Sequence, residues 1–279
     1  MLAPGGEFVR RSPWIGLALR SLRMYPEFLR ELTEESGLAI DYRACGAVET
    51  AETEEEWRAL LERAEGQRGL GIECHVADNA VQYPEDALVD PRETMAALRA
   101  ACLRSGVSIF ENCPETAVDD GEKTVVIAAG AWSSGIEARS GGRVLDLPKS
   151  YPVKGHLLGY SLPPGSLDPI LRRGHTYLLQ RSTGYTVAGS NEEKIGFDRT
   201  VDPAIAADLH RRAVSLFGYL EGRSAKDCWI GFRPATETGE PAIGRVEGTR
   251  TWLAYGHFRN GILMAPATAE RVAEEILSG

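Results

Sequence analysis

A mixed α/β (α+β) fold is predicted by three features of this 279-residue sequence. Asp90-Pro91-Arg92-Glu93 opens a helical pattern that stops at Gly106, and Val107-Ser108-Ile109-Phe110 follows as a strand, a helix-then-strand half-unit. Thr124-Val125-Val126-Ile127-Ala128-Ala129 is an unbroken apolar run rich in β-branched residues and ended by Gly130. That is the pattern of a strand covered on both faces, with a ligand crevice at its C-terminal end. Between 149 and 189 the pattern changes to short alternating strands with turns at Pro163-Pro164-Gly165 and Ser182-Thr183-Gly184, so an antiparallel sheet and a second domain are expected there.

Local chemistry sets the elements in order. Ser12-Pro13 caps and opens a helix whose apolar residues Trp14, Ile15, Leu17, Leu19 and Leu22 keep helical spacing as far as Leu32. Pro26 is expected to kink or split it, and Gly37 to end it. Residues 39–43 and 47–50 alternate like two short strands around Gly46, a hairpin-like pair. Thr53 and Glu56 form a capping-box signature for a helix with Trp57, Leu60, Leu61 and Ala64 on its apolar face. The helix opened at Pro91 presents Met95, Leu98, Ala101 and Cys102. Asp202-Pro203 caps a helix reaching Leu220, Trp252-Leu253-Ala254-Tyr255 reads as a strand, and Pro266 opens a final helix through Val272 and Ile276.

Composition narrows the partners. With 31 Lys and Arg against 40 Asp and Glu, the formal net charge of −9 lacks the basic footprint that phosphate backbones require, which argues against nucleic acid. Apolar stretches such as 261–269 are far shorter than the ~20 residues of a membrane span, and the N-terminal residues carry no charged leader, so a cytoplasmic location is expected. The five cysteines show no CxxC pair and no metal spacing. They read as buried small apolar side chains, with no metal site.

Three segments have the makings of a site. Gly256-His257-Phe258-Arg259-Asn260-Gly261-Ile262 follows a strand and precedes a helix, placing backbone N–H groups and a cation where an anionic or electron-rich ligand would sit; a plain turn with a surface arginine fits equally. Arg233 in Gly231-Phe232-Arg233-Pro234 offers a planar fork for a carboxylate, or a structural ion pair with one of the many acids. The small residues Ala128-Ala129-Gly130-Ala131 allow close backbone approach to a cofactor, and equally serve packing.

Together with Pro152-Val153-Lys154-Gly155-His156, Tyr177-Leu178-Leu179-Gln180-Arg181 and Gly196-Phe197-Asp198, the order and spacing of these blocks resemble the glycine oxidase and D-amino acid oxidase family of FAD-dependent oxidoreductases over nearly the whole chain. The resemblance starts just after the family's N-terminal strand, GxGxxG turn and helix, so that unit is lacking. It implies an incomplete FAD-binding Rossmann-like domain (1–36, 90–147 and 240–279) interleaved with an antiparallel-sheet substrate domain (37–89 and 148–239).

Residue by residue, the resemblance gives Arg233 and Tyr177 to the substrate carboxylate and Arg259 to a second position near flavin and substrate. His257, Phe258, Arg259, Asn260, Gly261, Ile262 and Leu263 match the loop along the flavin ring. Ala129, Gly130 and Trp132 match the loop near the cofactor's other half, and Met1 matches a methionine beside the flavin. Glu192 stands where family members have a hydrophobic residue near the substrate. The implied reaction is oxidative deamination of glycine or a small D-amino acid to an oxo acid and ammonia, with oxygen as acceptor and no essential side-chain acid or base. Thiamine biosynthesis is the implied setting and a homo-oligomer the implied assembly. The rival readings are a dehydrogenase using another acceptor and a non-catalytic protein that binds a carboxylate ligand or a partner.

Overall fold

Leu2, the first buried side chain, is tied to the protein interior through a two-way backbone bridge with Ala87. The computed structural model describes residues 1–8 and 12–278. After Leu2 comes a one-turn helix α1 (Pro4–Glu7) and then α2 (Ile15–Ser36), which buries Ala18, Leu22, Tyr25, Leu29 and Leu32 at three- and four-residue spacing and ends on Gly37 at φ 68°. The expected break at Pro26 does not occur. Its ring lies on the exposed face, while Leu22, Tyr25 and Leu29 anchor both flanks in the core.

Strands β1 (Tyr42–Arg43) and β2 (Ala47–Thr50) are not a hairpin. Gly46 donates its N–H to Asp86 O at 2.8 Å, which turns the two strands toward different partners. The capping box of Thr53 and Glu56 starts α3 (Glu54–Arg68), and β3 (His75–Ala77) and β4 (Ala80–Tyr83) pair across Asp78-Asn79, both at positive φ as a tight hairpin turn demands. Then β5 (Leu88–Val89), partner of β1, leads into α4 (Pro91–Arg104), whose N-terminal N–H groups are capped by the Asp90 carboxylate. Its buried face is Thr94, Ala97 and Ala101, and Met95, expected inside, is 64% exposed.

Residues 107–110 form no strand. Val107, Ile109 and Phe110 have the composition but pair with nothing among the described residues, and all three are exposed. Next come β6 (Ala117–Asp119), β7 (Val125–Ile127), a 3-10 turn over Gly130–Gly135, β8 (Glu137–Ser140) and β9 (Arg143–Val144). The long β10 (Ser150–Ser161) precedes β11 (Ile170–Arg173), β12 (Thr176–Gln180) and β13 (Tyr185–Gly189). Asp202 caps α5 (Pro203–Leu216), which stops short of Leu220, and β14 (Asp227–Thr236), β15 (Ala242–Arg245) and β16 (Thr251–Tyr255) follow. The final helix α6 (Gly261–Ser278) starts five residues before Pro266. Pro266 is accommodated because the Ile262 carbonyl, which its missing N–H would have served, accepts from the Tyr25 hydroxyl instead.

The eight-stranded sheet runs β14-β10-β13-β12-β11-β2-β4-β3, antiparallel except between β11 and β2. Alternation sorts its faces: Leu158, Tyr160, Leu178 and Ala188 pack with Leu209 and Ala213 of α5, whereas Leu157, Tyr177, Leu179 and Trp229 look to the opposite side and the larger core. A smaller sheet, β15-β16-β7, has β7 parallel to β16 at its edge. Coverage on both faces, expected for β7, is absent: Ile127 is buried but Val126 is 44% exposed. Strands β6, β8 and β9 form a third sheet. Among the described residues no helix is long and apolar enough to cross a membrane, and no group of His, Cys, Asp and Glu has the arrangement of a metal site. Cys74 is buried as expected, but Cys113 and Cys228 are exposed.

Candidate functional site

The open face of the large sheet carries the first part of the site. Tyr177, Gly189, Leu157 and Trp229 lie in one cross-strand row, and Arg233 stands four residues along β14 from Trp229 on the same face. Two glycines clear the surface for flat-lying side chains: a Cβ on Gly155 would collide with the Arg233 guanidinium, and one on Gly189 with the Tyr177 ring. Arg233 donates Nη2 to Ser190 Oγ and Nη1 to Asn191 O at 3.2 Å. Both acceptors are neutral, and among the described residues Arg233 forms no ion pair. Burial pulls its pKa below the ordinary arginine value. The neighbouring Tyr177 hydroxyl is pushed up, chiefly by burial, and stays protonated as a donor.

A second arginine arrives from the 3-10 turn Phe258–Asn260 at the end of β16. Arg259 Nε lies 2.8 Å from Glu7 Oε2, and its Nη1 lies 3.3 Å from Glu192 Oε1. Burial works against the Arg259 charge, yet Glu7 and Glu192 hold its pKa above the ordinary value, while burial drives the Glu7 carboxyl upward. The loop bearing Ser190, Asn191 and Glu192 is moored to β10 at three points. Lys154 and Glu193 exchange backbone hydrogen bonds at 2.9 Å, the buried Lys154 ammonium pairs with Asp198 at 2.8 Å, and His156 Nε2 accepts from Asp202 N at 2.9 Å. That last bond leaves Nδ1–H to face Asn191 Oδ1 at 3.2 Å. Glu7, Ser190 and Asn191 carry no local motif, so nothing in the sequence alone marked them. Lys154 and His156 were visible only as members of a matching block.

The strand-end loop forms the wall of a cavity of about 300 Å³ shared with Glu7, Phe8 and Trp14 and lined by Gly256, His257, Phe258 and Asn260. Asn260 Oδ1 is buried there with no hydrogen-bond partner. Burial lowers the His257 pKa to about 4, so its ring is neutral, and Nε2 lies 3.2 Å from Thr268 Oγ1. An orphaned acceptor, a neutral imidazole and a half-buried turn of backbone suit a neutral heteroaromatic ring with an N–H to give. In the unfolded chain His257 titrates at the ordinary 6.5, so as pH falls the unfolded state takes the proton first. Stability is therefore expected to drop between about pH 6.5 and 4, by on the order of 2–3 kcal/mol from this residue alone. Urea midpoints across that range should fall less steeply for His257→Asn than for the wild type.

The remaining expected residues lie apart from this cavity's lining. Ala129 and Gly130 sit at the C-terminal end of β7, where a Cβ on Gly130 would meet open space. Trp132 is half exposed and stacks on Phe197 at 5.2 Å, with Phe232 edge-on at 6.1 Å. Met1 and Ile262 pack on the main core, Gly261 starts α6, and the Leu263 side chain is inside the core at 1% exposure. A larger cleft of about 690 Å³ opens near the start of α4; there Arg181 pairs with Asp90, Tyr185 donates to Asp227 and Asp41 accepts from Ser182, while Arg92 and the exposed Lys226 also line it.

The structure thus sets two arginines and a tyrosine at one sheet face and a cavity at the strand-end loop of a mixed α/β fold. The chain belongs to the DAO family of FAD dependent oxidoreductases, whose profile matches residues 1–275. It is 30% identical over 305 aligned residues to the bifunctional protein ThiO/ThiG of Synechocystis sp., covering 99% of this chain and 45% of that protein. It is 29% identical to the glycine oxidase of Geobacillus kaustophilus, covering 98% of this chain and 80% of that enzyme. The crystal structure of glycine oxidase from Geobacillus kaustophilus superimposes with a TM-score of 0.90 at 29% identity, over 99% of this chain and 82% of that one. The chain thus spans less than half of the bifunctional relative and about four fifths of the oxidase.

Proposed function

We propose that this chain carries the substrate-holding site of an FAD-dependent oxidase of glycine or small D-amino acids, which yields an oxo acid and ammonia. The observation that carries this reading is Arg233: a partly buried guanidinium that, among the described residues, donates to neutral oxygens, lies on the same side of the sheet as Tyr177 and feels the charge of Arg259. Its fork takes the substrate carboxylate through two parallel N–H donors, and the protonated Tyr177 hydroxyl adds a third. Fixing the carboxylate fixes the α-carbon, which then points toward the cavity between Glu7 and His257 to Asn260.

The residues present fit the ring end of FAD, because Asn260 Oδ1 lacks a partner and His257 is neutral. His257, Phe258, Arg259, Asn260 and Gly261 would hold that end, with Met1, Ile262 and Leu263 behind them. Ala129, Gly130 and Trp132 would approach the rest. When bound, the flavin supplies a two-electron acceptor for the C–H bond next to the amine. The neutral His257 offers no charge to the reacting amine. Water would hydrolyse the imino acid to the oxo acid and ammonia, and with oxygen as the final electron acceptor hydrogen peroxide would be the second product. The division into a cofactor part (1–36, 90–147, 240–279) and a substrate part (37–89, 148–239), a cytoplasmic location and a homo-oligomeric state belong to the same reading.

Supplied with FAD, the protein is expected to form ammonia and hydrogen peroxide in equal amounts from glycine or D-alanine. Ammonia formed only with an added electron acceptor, and no oxygen consumed, would make it a dehydrogenase. Among the described residues β7 has one edge without a partner strand, and its Val126 is exposed, which favours one alternative, a protein that binds carboxylates without turnover. Ligand binding with no ammonia under either condition would establish it.

A further inference from the structure

The ionic grouping around Arg259 carries a selectivity that rests on the carboxylate reading of Arg233. Arg259 is fully engaged: Nε and Nη2 face the two oxygens of Glu7 at 2.8 and 3.3 Å, and Nη1 faces Glu192 Oε1 at 3.3 Å. Among the described residues Arg233 donates to the neutral oxygens of Ser190 and Asn191 alone. Of these two guanidiniums one is open to an anion and the other is enclosed by two carboxylates, so the pair has room for one negative group.

Of the two carboxylates, Glu192 is the one an incoming ligand meets. Its side chain is 38% exposed against 9% for Glu7. It follows directly on Asn191, whose carbonyl accepts from Arg233, and its charge acts on Arg233 as well as on Arg259. A ligand anchored by one carboxylate at Arg233 and carrying a second one would bring it up against Glu192 and an already neutralised Arg259. It would gain nothing from Arg259 and face a like charge.

We propose that Glu192 restricts this site to monocarboxylates, by occupying Arg259 and by repelling a second carboxylate. Removing its charge reverses both effects at once, since it frees Arg259 Nη1 and takes away the repulsion. Ligands with a neutral or cationic extension escape the penalty.

The test is calorimetric titration of the full chain with glycolate, which has the size of glycine and one carboxylate, and with malonate, which has two, at a pH where all carboxyls are ionised. The wild type is expected to bind glycolate about tenfold more tightly than malonate, and Glu192→Gln to erase about that factor from the ratio. Because Glu192 is partly exposed, raising the ionic strength should shrink the wild-type preference in the same direction, a check that needs no variant. Equal affinities in the wild type, or a ratio unchanged by Glu192→Gln and by salt, would overturn the role of Glu192 while leaving Arg233 in place. A wild type that binds neither ligand would instead overturn the Arg233 site, and the selectivity with it.

Discussion

Arg233→Ala is expected to weaken glycolate binding, and to lower kcat/KM for glycine, by about a hundred- to a thousandfold. The size follows from what is removed: two charge-assisted hydrogen bonds in a half-buried place where the neighbouring Arg259 is already held by Glu7 and Glu192. Arg233→Lys should recover only part of the loss, because an ammonium cannot reproduce the fork. Ser190, which accepts from Arg233, sets the orientation of that fork, so Ser190→Ala is expected to cost far less than Arg233→Ala. A change below threefold for Arg233→Ala would remove it from the substrate.

The largest effect on stability is expected from Arg172→Met. Arg172 on β11 is 4% exposed, pairs with Asp86, lies 3.4 Å from Glu49 and sits over the Tyr83 ring at 4.7 Å. Truncation would leave Asp86 buried without its cation and Glu49 with Arg63 alone, a loss of about 3–5 kcal/mol in urea denaturation. Asp86 already has a carboxyl raised by burial and restrained chiefly by Arg172, so without that partner it would take up a proton more readily and the loss should lessen as pH falls. The same network moors α1, which carries Glu7: Tyr83 donates to Gln67, and Gln67 Nε2 donates to Gly5 O at 2.8 Å and to Phe8 O at 3.0 Å. A stability loss under 1 kcal/mol would mean that the cluster contributes little.

Where local chemistry decides, the sequence was readable. Thr53 with Glu56, Asp90-Pro91 and Asp202-Pro203 each start a helix because a side chain two or three residues back caps it. Pairing was not readable. β1 joins β5 and not its neighbour β2, and Val107-Ser108-Ile109-Phe110 has strand composition without a partner among the described residues. Both proline misreadings have a tertiary cause, since Pro26 falls on the wet side of α2 and Tyr25 reaches across to the carbonyl that Pro266 leaves free. The site divides in the same way. An arginine beside a proline and a glycine-flanked strand-end loop stand out in the chain, but Glu7 meets Arg259 across 252 positions and no local pattern announces it.

The central claim is that a carboxylate held at Arg233 presents its amine-bearing carbon to a bound flavin. The most direct measurement is the visible spectrum of the FAD-loaded protein, desalted and then mixed with glycine or D-alanine without oxygen. The account predicts flavin bands that survive desalting, bleach on adding the amino acid and return with air, and that bleach far more slowly in Arg233→Ala. Flavin that stays oxidised in the presence of both amino acids, or protein that retains none, would contradict it.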